Sequence, residues 1–168
     1  MILIGIGSNL ASSGYSSPVE TAAAAVAALP SIGVEVVVCS RWYLSEPVPV
    51  SNQPWFVNAV AAIATKLDPT TLLQRLLALE MRFGRIRGAP NADRTLDLDL
   101  LDYRGRRVET EILMLPHPRL HRRRFVLAPL CELASEWRHP ILGLSAKQML
   151  DELPSGQPVH ALGDQPRR

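Results

Sequence analysis

The stretch Arg94-Thr95-Leu96-Asp97-Leu98-Asp99-Leu100-Leu101-Asp102-Tyr103-Arg104 decides how this chain of 168 residues is read. Leucines alternate with acids, and residues i and i+2 of a β-strand share a face. Leu96, Leu98 and Leu100 then face a core, while Asp97 and Asp99 project from the opposite side. Two strand residues span about 6.5–7 Å between Cα atoms. That spacing lets two carboxylates converge on one or two hard cations, and paired metals about 3.5–4 Å apart serve phosphoryl chemistry. Oxygen ligands suited to magnesium, flanked by arginine, point to a polyphosphate. The alternative is an edge strand with a solvated polar face.

Outward from this strand, Gly84 to Asp93 reads as a loop containing glycine and arginine. Before it, Asp68-Pro69 opens a helix with leucines at 72, 73, 76, 77 and 79, running toward Arg82. Trp55 to Leu67 reads as a long strand. Ser45 to Pro54 holds three of the fourteen prolines and forms an irregular loop. Gly33 to Leu44, rich in valine, reads as one long strand. Ser17-Pro18-Val19-Glu20 is a capping box with proline at the first helical position, so a helix runs to about Leu29. Ile2 to Ile6 is a short buried strand. The order is β-α-β-β-α-β, a ferredoxin-like α+β core. Additional C-terminal elements follow: short strands near Val108 and Leu113–Leu115, a helix from about Arg123 to Ala134, and a helix capped at Ser145 to Gln148. The whole chain, 1–168, reads as one domain with a flexible tail over 154–168.

Composition narrows the function. With 47% hydrophobic and 20% charged residues and a net charge of +2, the chain is globular and carries no global polyanion-binding signature. The local distribution is more informative. Sixteen of the eighteen basic residues are arginine, and eleven of those lie between Arg82 and Arg124. Arginine favours bidentate contact with phosphate or carboxylate. Cys39 and Cys131 lack zinc spacing and read as buried free thiols. The N-terminus has no signal-peptide pattern, and no apolar run reaches transmembrane length. A soluble, cytoplasmic protein that binds no membrane is the expectation.

Gly5-x-Gly7 after a strand suggests a dinucleotide site, but the third glycine position is Leu10 and the fingerprint fails. No Walker A sequence occurs, so arginines and metal must hold any ATP. Arg85 and Arg87 lie in the loop before the aspartate strand, and Arg94 immediately precedes it. His117, set between Pro116 and Pro118, is either a structural histidine or a phosphate contact. His121, His139 and His160 read as surface residues. His121-Arg122-Arg123-Arg124 opens a helix, where the dipole disfavours cations unless an anion binds there. Trp55, Phe56 and Phe125 are three of nine aromatics. They either pack in the core or stack on a flat heteroaromatic ligand.

Four blocks in one order resemble the 6-hydroxymethyl-7,8-dihydropterin pyrophosphokinase family of folate biosynthesis. They are Gly5-Ile6-Gly7-Ser8-Asn9-Leu10; Glu46-Pro47-Val48 with Asn52-Gln53-Pro54-x-Phe56-x-Asn58-Ala59; Glu80-x-x-x-Gly84-Arg85-x-Arg87 leading to Arg94-Thr95-Leu96-Asp97-Leu98-Asp99; and Leu115-Pro116-His117-Pro118-Arg119 with Arg123-x-Phe125-Val126-Leu127-x-Pro129-Leu130. The resemblance covers about residues 2 to 150. It implies a ferredoxin-like fold and transfer of the β,γ-pyrophosphoryl group of ATP to the pterin hydroxymethyl oxygen, releasing AMP. By resemblance Asp97 and Asp99 hold two Mg2+ ions, and with Arg85 and Arg94 they form the catalytic set. Glu80, Arg85, Arg87, Arg94, Leu100, His117 and Arg123 match the ATP side. Phe56 and Phe125 match the rings that sandwich the pterin. Asn58 matches the side chain that pairs with its polar edge, with Ser45, Glu46, Pro47, Val48 and Asp97 completing that side.

Two departures stand out. Where the family usually carries Trp-Gly-Pro, this chain has Asn91-Ala92-Asp93, in a loop that closes over the site in relatives. The glycine usual after Val48 is Pro49. Two other readings remain. One is a weakly active or non-catalytic paralogue that still binds pterin and nucleotide. The other is a ferredoxin-like nucleic-acid-binding module, although the chain lacks the RNP-like submotifs such a module uses. The expectation is a monomer with small-molecule substrates and no nucleic acid.

Overall fold

The computed structural model describes residues 1–86, 88 and 92–163. In chain order the elements are β1 (Ile2–Ser8), α1 (Pro18–Ala28), β2 (Val34–Cys39), β3 (Tyr43–Ser45), β4 (Phe56–Thr65), α2 (Pro69–Arg82), β5 (Asp97–Tyr103), β6 (Val108–Glu109), β7 (Met114–Leu115), α3 (Arg124–Ala134), α4 (Ala146–Glu152) and β8 (Val159–Ala161). Six strands form one sheet in the order β5-β1-β4-β3-β8, with β2 also on β4. Every pairing in it is antiparallel. The protein is thus a mixed α/β fold with four α-helices among the described residues.

Local chemistry sets the helix boundaries. The Ser17 side chain accepts from the Glu20 backbone N–H, with Pro18 at the first position of α1. Asp68 caps α2 through the amides of Thr70 and Thr71. Ser145 and Gln148 close a reciprocal capping box on α4.

Two apolar clusters sandwich the sheet. On one face, Ile2, Ile4 and Ile6 pack with Leu96, Leu98 and Leu100 against Ala22, Ala25 and Leu29 near α1 and Leu72, Leu76 and Leu79 of α2. On the other, Leu3, Val60 and Leu101 meet Val126, Leu127 and Leu130 of α3 and Met149 of α4. The leucine alternation of β5 therefore points into the first cluster. Leu101, next in the alternation, joins the second cluster, and a register shift between Leu3 and Ile4 bulges β5 so that Tyr103 returns to the first.

Four expectations are corrected. The single strand expected over Gly33 to Leu44 is two strands. Ser40 breaks it: its Oγ accepts from Val60 N–H and donates to Arg41 O, satisfying backbone that a continuous ladder would have served. His139, expected at the surface, is buried, with Nδ1 accepting the amides of Ile141 and Leu142. Part of the tail expected to fray forms β8 against β3, in the register Tyr43↔Ala161, Leu44↔His160, Ser45↔Val159. Cys39 and Cys131 are free and only partly buried. Among the described residues, no helix is long and apolar enough to cross a membrane.

Candidate active site

The site begins with a floor that lacks side chains. In the pairing of β1 with β5, Gly7 stands opposite Asp97 and Gly5 opposite Asp99. On the other edge of β1, Gly7 stands opposite Asn58. Two glycines alternate in step with two aspartates, leaving the sheet bare beside both carboxylates. A Cβ on Gly7 would lie 3.7 Å from the Asp97 Cβ and 3.6 Å from Asn58 Oδ1, filling that space without a backbone clash. The glycines earn their place as a cradle, a different use from the dinucleotide fingerprint that the sequence fails.

Three guanidiniums converge on the carboxylates. Arg85 Nη1 lies 2.5 Å from Asp97 Oδ1, and Arg94 Nη1 lies 3.0 Å from Asp97 Oδ2. Arg123 Nη1 donates to Asp99 Oδ2 at 3.1 Å. Arg123 caps α3, whose opening turn carries no acidic residue. The cations at this helix start are therefore matched by Asp99 rather than by the helix itself. Burial, then the neighbouring Asp97 carboxylate, pushes the Asp99 carboxyl upward, against the pull of Arg123.

Glu80, which could have been an ordinary exposed helix residue, is 2% exposed. Its Oε1 accepts from Leu98 N–H at 2.6 Å and pairs with Arg85 Nη1 at 2.6 Å. Burial raises its carboxyl to about 7, opposed by the Leu98 hydrogen bond and Arg85. Glu80 sits beneath Arg85 and braces it against β5. His117 is drawn down to about 4 by burial and by Arg123 and Arg119. Its Nδ1 accepts from Arg119 N–H, so the neutral ring carries its proton on Nε2, 3.9 Å from Asp99 Oδ2.

Next to this cluster, Gly7, Ser45, Glu46, Val48, Phe56, Asn58, Arg94, Asp97, Arg123 and Phe125 line a cleft of about 520 Å³. Asn58 Nδ2 donates to Ser45 Oγ at 2.8 Å, fixing its amide. Arg94 stands over the Phe56 ring at 5.9 Å and Arg123 over the Phe125 ring at 5.5 Å. Pro47 is buried beside the cleft and is not among its lining residues. On the far side of Asp99, a second hollow of about 650 Å³ is bounded by Leu73, Asp99, Leu100, Thr110, Ile112, Leu113 and His117. Arg87 and Asn91 lie outside the described residues.

Sequence reasoning missed several contributors. Asn9 is 1% exposed, and its Nδ2 donates to Pro54 O at 3.2 Å and Asp93 Oδ1 at 3.2 Å. Its Oδ1 accepts from Arg94 N–H at 2.9 Å. One side chain thus ties the end of the cleft loop to the residues that deliver Arg94. Leu73, Thr110 and Ile112 reach the second hollow from three separate segments, and no local pattern marks them. The matched periodicity of Gly5-Gly7 and Asp97-Asp99 was a legible signal.

The donor set can be tested for metal. Among the described residues, no group of three or more His, Cys, Asp or Glu side chains could cage an ion. Magnesium seldom needs such a cage; it keeps waters and takes one or two carboxylates together with substrate phosphates. Two same-face carboxylates beside arginines fit that mode.

Comparison with known proteins gives the family. The model of the family described as 7,8-dihydro-6-hydroxymethylpterin-pyrophosphokinase (HPPK) matches residues 3–135. The 2-amino-4-hydroxy-6-hydroxymethyldihydropteridine pyrophosphokinase of Haemophilus influenzae is 40% identical over 151 residues, covering 89% of this chain and 88% of that protein. The protein of the same name from Synechocystis is 42% identical over 121 residues, 72% of this chain and 62% of its own length. Among solved structures, Plasmodium falciparum HPPK-DHPS with pteroate superposes with a TM-score of 0.69 at 12% identity, covering 89% of this chain and 43% of that one. At that identity the likeness speaks for the fold alone, while the family model and the curated relatives carry the assignment. This chain belongs to the 7,8-dihydro-6-hydroxymethylpterin-pyrophosphokinase family.

Proposed function

We propose that this protein transfers the β,γ-pyrophosphoryl group of ATP to the hydroxymethyl oxygen of 6-hydroxymethyl-7,8-dihydropterin, releasing AMP, as a step of folate biosynthesis. One observation carries the reading beyond family membership: an aromatic, amide-lined cleft and a second, open hollow meet at one pair of aspartates ringed by three arginines. A transferase needs its acceptor and donor on two sides of the reacting phosphates.

The cleft fits a flat heterocycle. Phe56 and Phe125 offer ring faces, and Asn58 with Ser45 and Glu46 offers polar groups for the ring edge. Unmatched polar groups in such a cleft would cost about 1–3 kcal/mol each, which favours pterin over an apolar ring. The hollow at Leu73, Leu100, Thr110 and Ile112 fits the nucleoside, with His117 Nε2–H directed toward a phosphate oxygen. Arg85, Arg94 and Arg123 hold the carboxylates here, and the same guanidiniums suit a triphosphate. Arg87 is assigned to the ATP side by family pattern alone.

Asp97 and Asp99 would hold two Mg2+ ions, which when bound acidify the attacking hydroxyl and offset charge developing on the phosphates. The protein's own part is orientation. Asn58 fixes the pterin edge, Glu80 braces Arg85, and Asn9 fixes the backbone at Arg94.

We also read β1-α1-β2-β4-α2-β5, with sheet order β5-β1-β4-β2, as a ferredoxin-like core to which β3, β8, α3 and α4 are added. We take residues 1–168 as one domain of a cytoplasmic monomer. The test is AMP release from ATP and Mg2+, with and without the pterin. Pterin-dependent AMP, rather than ADP, is the expected result. Pterin binding without AMP would support the non-catalytic paralogue instead, and no binding of either substrate would overturn the reading.

A further inference from the structure

We propose that the C-terminal segment 157–162 is a strap that sets pterin affinity by holding both stems of the loop between β3 and β4; the proposal rests on the pterin reading of the cleft. Four contacts carry it. β8 pairs along the whole of β3, placing Val159 opposite Ser45, a cleft residue. Gln157 Nε2 donates to Glu46 O at 3.3 Å, at the first residue of the loop. The His160 ring lies parallel to Trp55, with centroids 6.5 Å apart and 11° between planes, at the last residue of the loop. Leu162 N–H closes the end of the strap on Trp42 O at 2.7 Å.

Both anchored residues adjoin cleft-lining residues. Glu46 follows Ser45 and itself lines the cleft, and Trp55 precedes Phe56. The intervening loop exposes Val48 and Val50, at 58% and 74%, so its middle has little packing of its own. β3 is only three residues long. Without β8 it would be a short edge strand, with a row of backbone groups facing water. Ordering this loop before the ligand arrives lowers the entropy lost on binding. None of the strap's contacts touches Asp97, Asp99 or the hollow at Leu73 and Thr110. The strap's own contacts therefore lie on the pterin side, and a route toward Arg94 runs through Pro54 and Asn9. Gln157 and His160 are positioning residues, acting through Glu46 and Trp55.

The experiment uses full-length Gln157→Ala/His160→Ala, with His160→Phe as the conservative variant. Binding of 6-hydroxymethyl-7,8-dihydropterin is measured by fluorescence, alongside KM for both substrates, kcat and amide exchange at Leu44 and Ser45. The double variant should weaken pterin binding and raise pterin KM at least fivefold, with ATP KM and kcat within twofold, and should speed exchange at Leu44, whose amide faces β8, more than at Ser45, whose amide faces β4. His160→Phe keeps a flat ring on Trp55 and should bind pterin as wild type does. Unchanged pterin affinity in the double variant overturns the strap, as does an equal rise in both KM values. If the wild type itself binds no pterin, the functional reading fails and the strap with it, a result distinct from equal binding by wild type and variant.

Discussion

Replacing Asp97 by alanine separates the chemistry of the site from its contribution to the fold. Asp97 takes two ion pairs, from Arg85 at 2.5 Å and Arg94 at 3.0 Å, with side chains about a fifth to a quarter exposed. Charge-assisted bonds this shielded from water contribute about 1.5–3 kcal/mol each. Against that loss, the substitution removes the like charge that helps push the Asp99 carboxyl upward. Arg85 keeps Glu80 as a partner, while Arg94 loses its acidic partner and keeps Ala92 O and the Phe56 ring. The relief offsets part of that loss, and stability should fall by about 2–4 kcal/mol, a Tm shift of about 4–16 °C for a chain of this size. Turnover should respond on another scale. Removing one preorganised electrostatic group costs about 100- to 1,000-fold in rate, and a carboxylate that also holds the cation should cost at least that. The assay pairs AMP release under saturating ATP, Mg2+ and pterin with a thermal melt. A folded variant that keeps more than a tenth of the rate would refute the assignment of Asp97 to the metal and the phosphates.

Three further outcomes follow from the geometry. Gly7→Ala should leave the melt near wild type, because the backbone there needs no glycine and a Cβ meets only ordinary contacts, yet weaken pterin binding by intruding on the cleft floor; fluorescence titration reads this, and wild-type affinity would contradict the floor. Asn9→Ala should cost about 2–3 kcal/mol by leaving buried partners unsatisfied and should expose the Arg94 amide to exchange, read by denaturant unfolding and hydrogen exchange. Glu80 has a folded-state pKa of about 7, above its ordinary value of 4.5, so its contribution to stability is fully present below pH 4.5 and is lost as pH rises toward 7. His117, drawn down to about 4, works in the opposite sense, losing stability as pH falls from 6.5 toward 4. The informative quantity is thus wild type minus Glu80→Gln: that difference should decline between pH 4.5 and 7, and a flat difference would contradict the burial argument.

Much of this molecule was legible along the chain because the signals were local. Capping chemistry at Ser17, Asp68 and Ser145 marks where helices start, since an orphan amide is satisfied by a side chain two or three residues away. The alternation over 96–100 sends leucines to one face and aspartates to the other, because strand geometry has a period of two. Arginine clustering between 82 and 124 places cations near those aspartates, and the order of family blocks names the chemistry. What only tertiary structure decided are relations between distant segments. The pairing of Gly7 with Asp97 depends on the register of β1 against β5. The burial of Glu80 depends on α2 packing behind β5, and a helical leucine pattern does not reveal which end of the helix meets a strand. Ser40 breaks the valine strand only because Val60 lies across from it. The tail forms a strand because β3 offers an open edge, a property of the sheet that no residue in 154–163 encodes alone. Spacing within an element follows from backbone geometry and is written in the sequence; which surfaces meet follows from the packing of the whole chain.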